Sequence, residues 1–104
     1  MSTQLEEMTR RIEGIKRELL ELGQMRPGSI SRQYRRPKEK ERPFYQLSYT
    51  HRMKSHSEYV RPENLASLRR EIATFKRFRK LIDQWVDLAL RSSQIRVRKD
   101  KPST

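Results

Sequence analysis

The sequence predicts an α+β protein: two long antiparallel helices of coiled-coil-like character flanking a small two- or three-stranded antiparallel β-insert. Three observations carry that expectation. Apolar residues recur at 3-4-3-4-3 spacing from Leu5 to Leu22, the apolar period falls to two between Phe44 and Thr50, and helical spacing returns from Leu65 to Ala89. With 104 residues, 33% of them hydrophobic, the chain has material for one small domain with a thin core. That domain is expected over residues 1–96, followed by a basic flexible tail over 97–104.

The first helix rests on the seam Leu5, Met8, Ile12, Ile15, Leu19 and Leu22, with Glu, Arg and Lys filling most other positions. Ser2 or Thr3 serves as cap with Glu6 or Glu7 nearby, Gly23 suits the residue after the last turn, and Pro27 prevents continuation. Gly14 costs about 1 kcal/mol relative to alanine but lies off the seam.

From Gln24 to Arg61 the pattern is that of strands. Tyr45, Leu47 and Tyr49 alternate with Phe44, Gln46, Ser48 and Thr50, and Ser55 to Val60 forms the second arm of a hairpin. The intervening His51-Arg52-Met53-Lys54 lacks the Gly or Asn that favours positive φ, which leaves the turn type open. A further strand is expected at Ile30 to Arg36, and Pro37 to Pro43 reads as a charged loop bounded by prolines. The second helix should begin at Pro62, with Glu63 in its first turn, and run to Arg96. Leu65, Leu68, Ile72, Phe75, Ile82, Val86 and Ala89 make one stripe; Phe78, Leu81, Trp85 and Leu88 make another, so this helix should meet more than one neighbour.

Four segments taken in order, Met25-Arg-Pro-Gly-Ser-Ile-Ser-Arg-Gln-Tyr, Pro43-Phe-Tyr-Gln-Leu-Ser-Tyr-Thr-His-Arg, Lys54-Ser-His-Ser-Glu-Tyr-Val and Phe75-Lys-Arg-Phe, resemble a family of small uncharacterised prokaryotic proteins. That family is a domain of unknown function often found near mobile elements, and the resemblance covers roughly residues 24 to 90. It implies helix, β-insert and helix, and it brings no established activity. It also implies a Cys-rich knuckle, hence zinc, between the equivalents of Tyr34 and Phe44; here that stretch is Arg35 to Pro43 without cysteine, so zinc does not carry over. Met53 stands where the family tends to have glycine.

Composition removes several function classes. The absence of cysteine excludes a disulfide framework and a catalytic thiolate. No window approaches the roughly 18 continuous apolar residues of a membrane span, and the N-terminus has no signal-peptide pattern, so a cytoplasmic location is expected. His51 and His56 flank the hairpin turn but make a poor metal site without cysteine or a carboxylate cluster. Tyr34, Tyr45, Tyr49 and Tyr59 include a potential nucleophile, yet strand-transfer chemistry needs a larger scaffold; the plainer account is that they pack sheet against helix with wet hydroxyls. No enzyme, cofactor, metal or small-molecule substrate is expected.

The basic residues point further. Residues 24–62 carry ten Lys/Arg against three Glu, a net +7, whereas residues 1–23 are net −1 and residues 63–104 net +6, within a total of +12. Positive charge gathered on one part of a chain, with aromatics interleaved, is the footprint of a nucleic-acid-binding surface. The candidate contacts are Arg32, Arg35, Arg36, Lys38, Lys40, Arg42, Arg52, Lys54, Arg69, Lys76, Arg77 and Lys80. The expected function is non-catalytic, sequence-tolerant binding of DNA or RNA, serving a mobile element or phage, by a homodimer. The alternative is a homo-oligomerising interaction module with no nucleic-acid role. Self-association is expected through Leu5, Met8, Ile12, Ile15, Leu19, Leu22, Phe78, Leu81 and Trp85.

Overall fold

In a computed structural model that describes residues 3–35 and 42–100, with side chains as far as Arg98, the N-terminal amphipathic stretch forms helix α1 (Thr3–Glu21). Thr9 Oγ1 donates to the Leu5 carbonyl at 2.9 Å. Past the helix end, the Leu22 N–H reaches the Leu19 carbonyl at 3.3 Å, a tightened closing turn that leaves residues 22–28 irregular. The next three strands are β1 (Ser29–Gln33), β2 (Phe44–His51) and β3 (Lys54–Val60), joined as an antiparallel meander in the order β1-β2-β3. Pro62 opens a single 3₁₀ turn, Pro62–Asn64, where its fixed φ and missing N–H do no harm. The Asn64 N–H donates to the Arg61 carbonyl at 2.9 Å, and the chain continues into α2 (Leu65–Asp100).

Two of the expected features are corrected. The helices do not form a matched long pair flanking an insert: α1 has 19 residues and α2 has 36, with a full three-stranded sheet between them in the chain. The reason lies in how α2 distributes its apolar stripes. Leu65, Leu68 and Ile72 pack against the sheet residues Leu47 and Val60, so the first turns of α2 serve a sheet and not a helix. The boundaries also move: α2 runs to Asp100 rather than Arg96, and β1 occupies Ser29–Gln33 rather than Ile30–Arg36. Ser2, most of the proline-bounded loop and residues 101–104 lie outside the described residues.

The chain divides into two compact units. One comprises Met1–Leu22 and Arg77–Thr104, the other Gly23–Lys76, so α2 contributes to both. In the helical unit Met8, Ile15, Leu81 and Leu88 are buried, with Ile12, Leu19, Leu22, Trp85 and Ile95 packed against them. Lys16 lies over the Trp85 ring at 5.4 Å, and Arg77 is ion-paired with Glu18.

In the sheet unit, the side-chain period of two divides the strands cleanly between two faces. The inner face carries the core: Leu47, 0% exposed, and Val60 meet Ile72 of α2, with Ile30, Tyr45 and Tyr49 alongside. By strand alternation and register, the outer face carries Ser29, Ser31 and Gln33 of β1, Phe44, Gln46, Ser48 and Thr50 of β2, and Ser55, Ser57 and Tyr59 of β3. No charged residue stands among them.

Two backbone positions set this sheet. Gly28 has φ +135°, and a Cβ there would stand 2.8 Å from the Ser48 carbonyl oxygen and 2.9 Å from Leu47 Cδ1, so the entry to β1 needs glycine. At the other end Arg52 and Met53 form a two-residue turn with φ of 50° and 67°, closed by the pair His51 and Lys54. Both central residues are left-handed, the arrangement of a type I′ turn, formed here without Gly or Asn.

Candidate nucleic-acid interface

Cross-strand register places Arg32 opposite Tyr45, and the first turns of α2 bring Arg69 to the same ring. The Arg32 guanidinium lies over Tyr45 at 6.0 Å and that of Arg69 at 5.8 Å. Each of these contacts is a cation–π interaction that orients a flexible arginine. Hydrogen bonding to the Tyr34 hydroxyl, with a smaller contribution from Tyr45, raises the pKa of Arg32 further above its already high ordinary value. Two guanidiniums and two tyrosines thus converge at one end of the sheet.

The other candidate cations are distributed unevenly. Arg35 and Arg42 are exposed beside the β1 and β2 ends nearest this cluster, and Arg52 and Lys54 are exposed at the opposite, hairpin end. Lys76 is exposed on α2, seven residues after Arg69. Arg77 and Lys80 belong to the helical unit, where Arg77 is occupied by Glu18. That contact holds the Glu18 carboxyl below its ordinary pKa, chiefly through the hydrogen bond from Arg77. Arg36, Lys38 and Lys40 lie outside the described residues.

The residues expected to associate between copies fall in the helical unit. Met8, Ile15 and Leu81 are buried there, Ile12, Leu19, Leu22 and Trp85 are packed around them, and Leu5 and Phe78 are half-buried.

One functional-looking residue escaped the sequence reading. Arg26 donates its backbone N–H to the Glu71 carbonyl at 3.1 Å, pairs its guanidinium with Glu58, and lies over the Tyr49 ring at 5.2 Å. It fastens the segment after α1 to β2, β3 and α2, so its charge is engaged in the fold. Its partners lie 23 to 45 positions along the chain, beyond any local pattern; Arg-Pro-Gly before a strand was the only signal available. Of the histidines, His56 stacks on Tyr49 at 4.9 Å and His51 is exposed at the turn. The described residues hold no group of three His, Cys, Asp or Glu able to grip a metal ion, and a chain without cysteine does not fit the zinc knuckle. Among the described residues no helix is long and apolar enough to cross a membrane.

A family model described as "Domain of unknown function (DUF6788)" matches residues 5–70, well over half of the chain. The chain belongs to this family. The DUF6788 match begins in α1, takes in the whole sheet and stops shortly after α2 starts, a span set nearer the N-terminus than residues 24 to 90. Nine of the twelve candidate cations fall inside the matched span. No curated protein and no solved structure matches the chain at a significant level.

Proposed function

We propose that this protein is a non-catalytic accessory factor that binds DNA or RNA through phosphates with little sequence discrimination. The supporting observation is the cluster of Arg32 and Arg69 over Tyr45, set in a unit that holds thirteen Lys/Arg against five Asp/Glu, a net +8 over residues 23–76. A guanidinium carries five N–H donors, so Arg32, even hydrogen-bonded to tyrosine, and Arg69 keep donors for phosphate oxygens, and cations around a folded sheet give a directional positive field. A cytoplasmic setting, in a prokaryotic mobile element or phage, belongs to the same proposal through the family resemblance.

Fluorescence anisotropy against duplex DNA tests it. Neutralising about four to six phosphates gives a slope of log affinity on log salt of about −4 to −5. Charge reversal to Glu at Arg35, Arg36, Lys38 and Arg42 should flatten that slope and weaken all sequences alike. Binding that is undetectable at low salt, or unchanged by the reversal, overturns the reading.

A second reading, self-association, is favoured by one observation. Val86, Leu90 and Val97 are 57%, 56% and 63% exposed at spacings of four and seven on α2, an apolar stripe left open in the helical unit. Sedimentation of the parent and of Leu90→Glu separates the cases: a dimer dissolved by Leu90→Glu supports association there, and a monomeric parent removes it.

A further inference from the structure

We propose that the outer face of the sheet, opposite the face that carries the Tyr45 ring, seats single-stranded nucleic acid, DNA or RNA, with Tyr59 and Phe44 stacking on bases; this rests on the nucleic-acid reading above and adds to it a second surface and one class of strand. The motive is chemical segregation. In a chain where 37% of residues are charged, ten neighbouring side chains form a face with no charge, only hydroxyls, amides and two aromatic rings. Tyr59 is 63% exposed on it, unlike Tyr45 and Tyr49, which pack toward the core. The core therefore accounts for two of the sheet's tyrosines and leaves Tyr59 without a packing role.

Such a face suits bases and not a duplex exterior. Duplex DNA presents phosphates outward and hides base faces in its stack, so a surface meeting it needs cations across the contact. An unpaired strand exposes base faces, which stack on aromatic rings, and base edges, which hydrogen-bond to hydroxyls and amides. Gln46 lies directly opposite Tyr59, and Phe44 is the diagonal neighbour two positions along β2. Diagonal neighbours stand roughly 7 to 8 Å apart, within reach of successive bases of one unpaired strand. Cations stand where a backbone would leave the face. Extending the register one step beyond Tyr45 and Val60 sets exposed Arg61 opposite Phe44, and Arg35 and Arg42 border the same end. Phosphates at that rim with bases on the uncharged centre form one continuous, complementary footprint.

The test compares a fluorescein-labelled oligodeoxyuridylate of about a dozen nucleotides with oligouridylate and a DNA duplex of the same length, at low salt. The variants are Tyr59→Ala and Ser57→Glu, the second placing a negative charge in the middle of the face. Both side chains are exposed, so melting curves should match the parent, and either variant alone suffices if the other fails to fold. The expected result is tighter binding of single strands than of duplex, a loss of about tenfold or more with each variant on single strands, and less than about twofold on duplex. Equal binding of oligodeoxyuridylate and oligouridylate, which differ only in the 2′-hydroxyl, shows that the face does not read the sugar; a preference for one assigns it to DNA or to RNA, and both results support the seat. Single-strand affinity unchanged by both variants, yet lowered by charge reversal at Arg35 and Arg42, overturns the face while leaving the basic surface standing. Equal losses on single strand and duplex also overturn it. No binding to any probe overturns this proposal and the nucleic-acid reading together.

Discussion

Replacing Met53 with glycine isolates the backbone strain held in the hairpin turn. Arg52 and Met53 occupy φ of 50° and 67°, where a residue with a Cβ is disfavoured by roughly 1–2 kcal/mol. Glycine removes that penalty at position 53 and returns about 0.5–1 kcal/mol through the greater freedom of the unfolded chain. The Met53 side chain is 99% exposed, so no packing is lost. Taking the middle of each range, the difference favours Met53→Gly by about 0.75 kcal/mol, equivalent to a rise of about 3–6 °C in melting temperature for a chain of this size. Thermal melts followed by circular dichroism, with urea titrations to check that the m-value is constant, measure it. Arg52→Gly supplies the companion: similar relief of strain, but with a candidate phosphate contact removed, so stability should rise while the salt slope of DNA binding falls. Met53→Gly should leave that slope alone. A Met53→Gly protein that melts at or below the parent temperature refutes the argument, because it would mean that the left-handed turn costs these residues nothing.

Three further outcomes follow from the same geometry. Gly28→Ala forces a Cβ against the Ser48 carbonyl and Leu47 at a φ that alanine rarely adopts, so chemical denaturation should show a loss of about 2–4 kcal/mol. Leu81→Ala, at a position 1% exposed, should cost about 2–5 kcal/mol and show itself in urea titrations as lost folding before any change in association. Because Arg77 lowers the pKa of Glu18, their contact stabilises the fold above the carboxylate's ordinary pKa of 4.5 and is lost as pH falls below it. Melting temperatures between neutral pH and pH 3 should therefore fall less steeply for Glu18→Gln than for the parent.

What the sequence disclosed depended on the range of the interaction. The α1 seam and the β2 alternation are local periodicities; Met8, Ile15 and Leu47 are buried as those periods require. The turn is legible in sequence only as His51 to Lys54, with its type open because the usual Gly or Asn is missing; pairing of His51 with Lys54 narrows it to Arg52 and Met53. The division of α2 between two cores was hidden. Its stripes look alike in sequence, and nothing local states that Ile72 meets a sheet while Leu81 meets α1. Of the candidate site, the cations were legible as charge, but their fates were not. Arg69 and Arg32 share a ring 24 or 13 residues from their own positions, and Arg77 is engaged by a glutamate 59 residues away. The uncharged outer face was visible only after register had been assigned, since in sequence its serines are interleaved with Arg32, Lys54 and Glu58.

That uncharged face also governs how molecules of this protein behave in crowded solution. A three-stranded sheet has two open edges, β1 and β3, and edges of this kind template pairing between molecules unless charge or brevity blunts them. β1 is only five residues long; β3 is seven, with exposed Lys54 and Glu58 on one side, while its outward side offers the uncharged Ser55, Ser57 and Tyr59. Beyond those two side chains, dispersal rests on the net +12 of the whole chain, a long-range force whose reach shrinks to roughly 8 Å at physiological ionic strength. Colloidal stability should be greatest at low salt and should pass through a minimum wherever an added polyanion just balances the protein's charge, with redissolution when the polyanion is in excess.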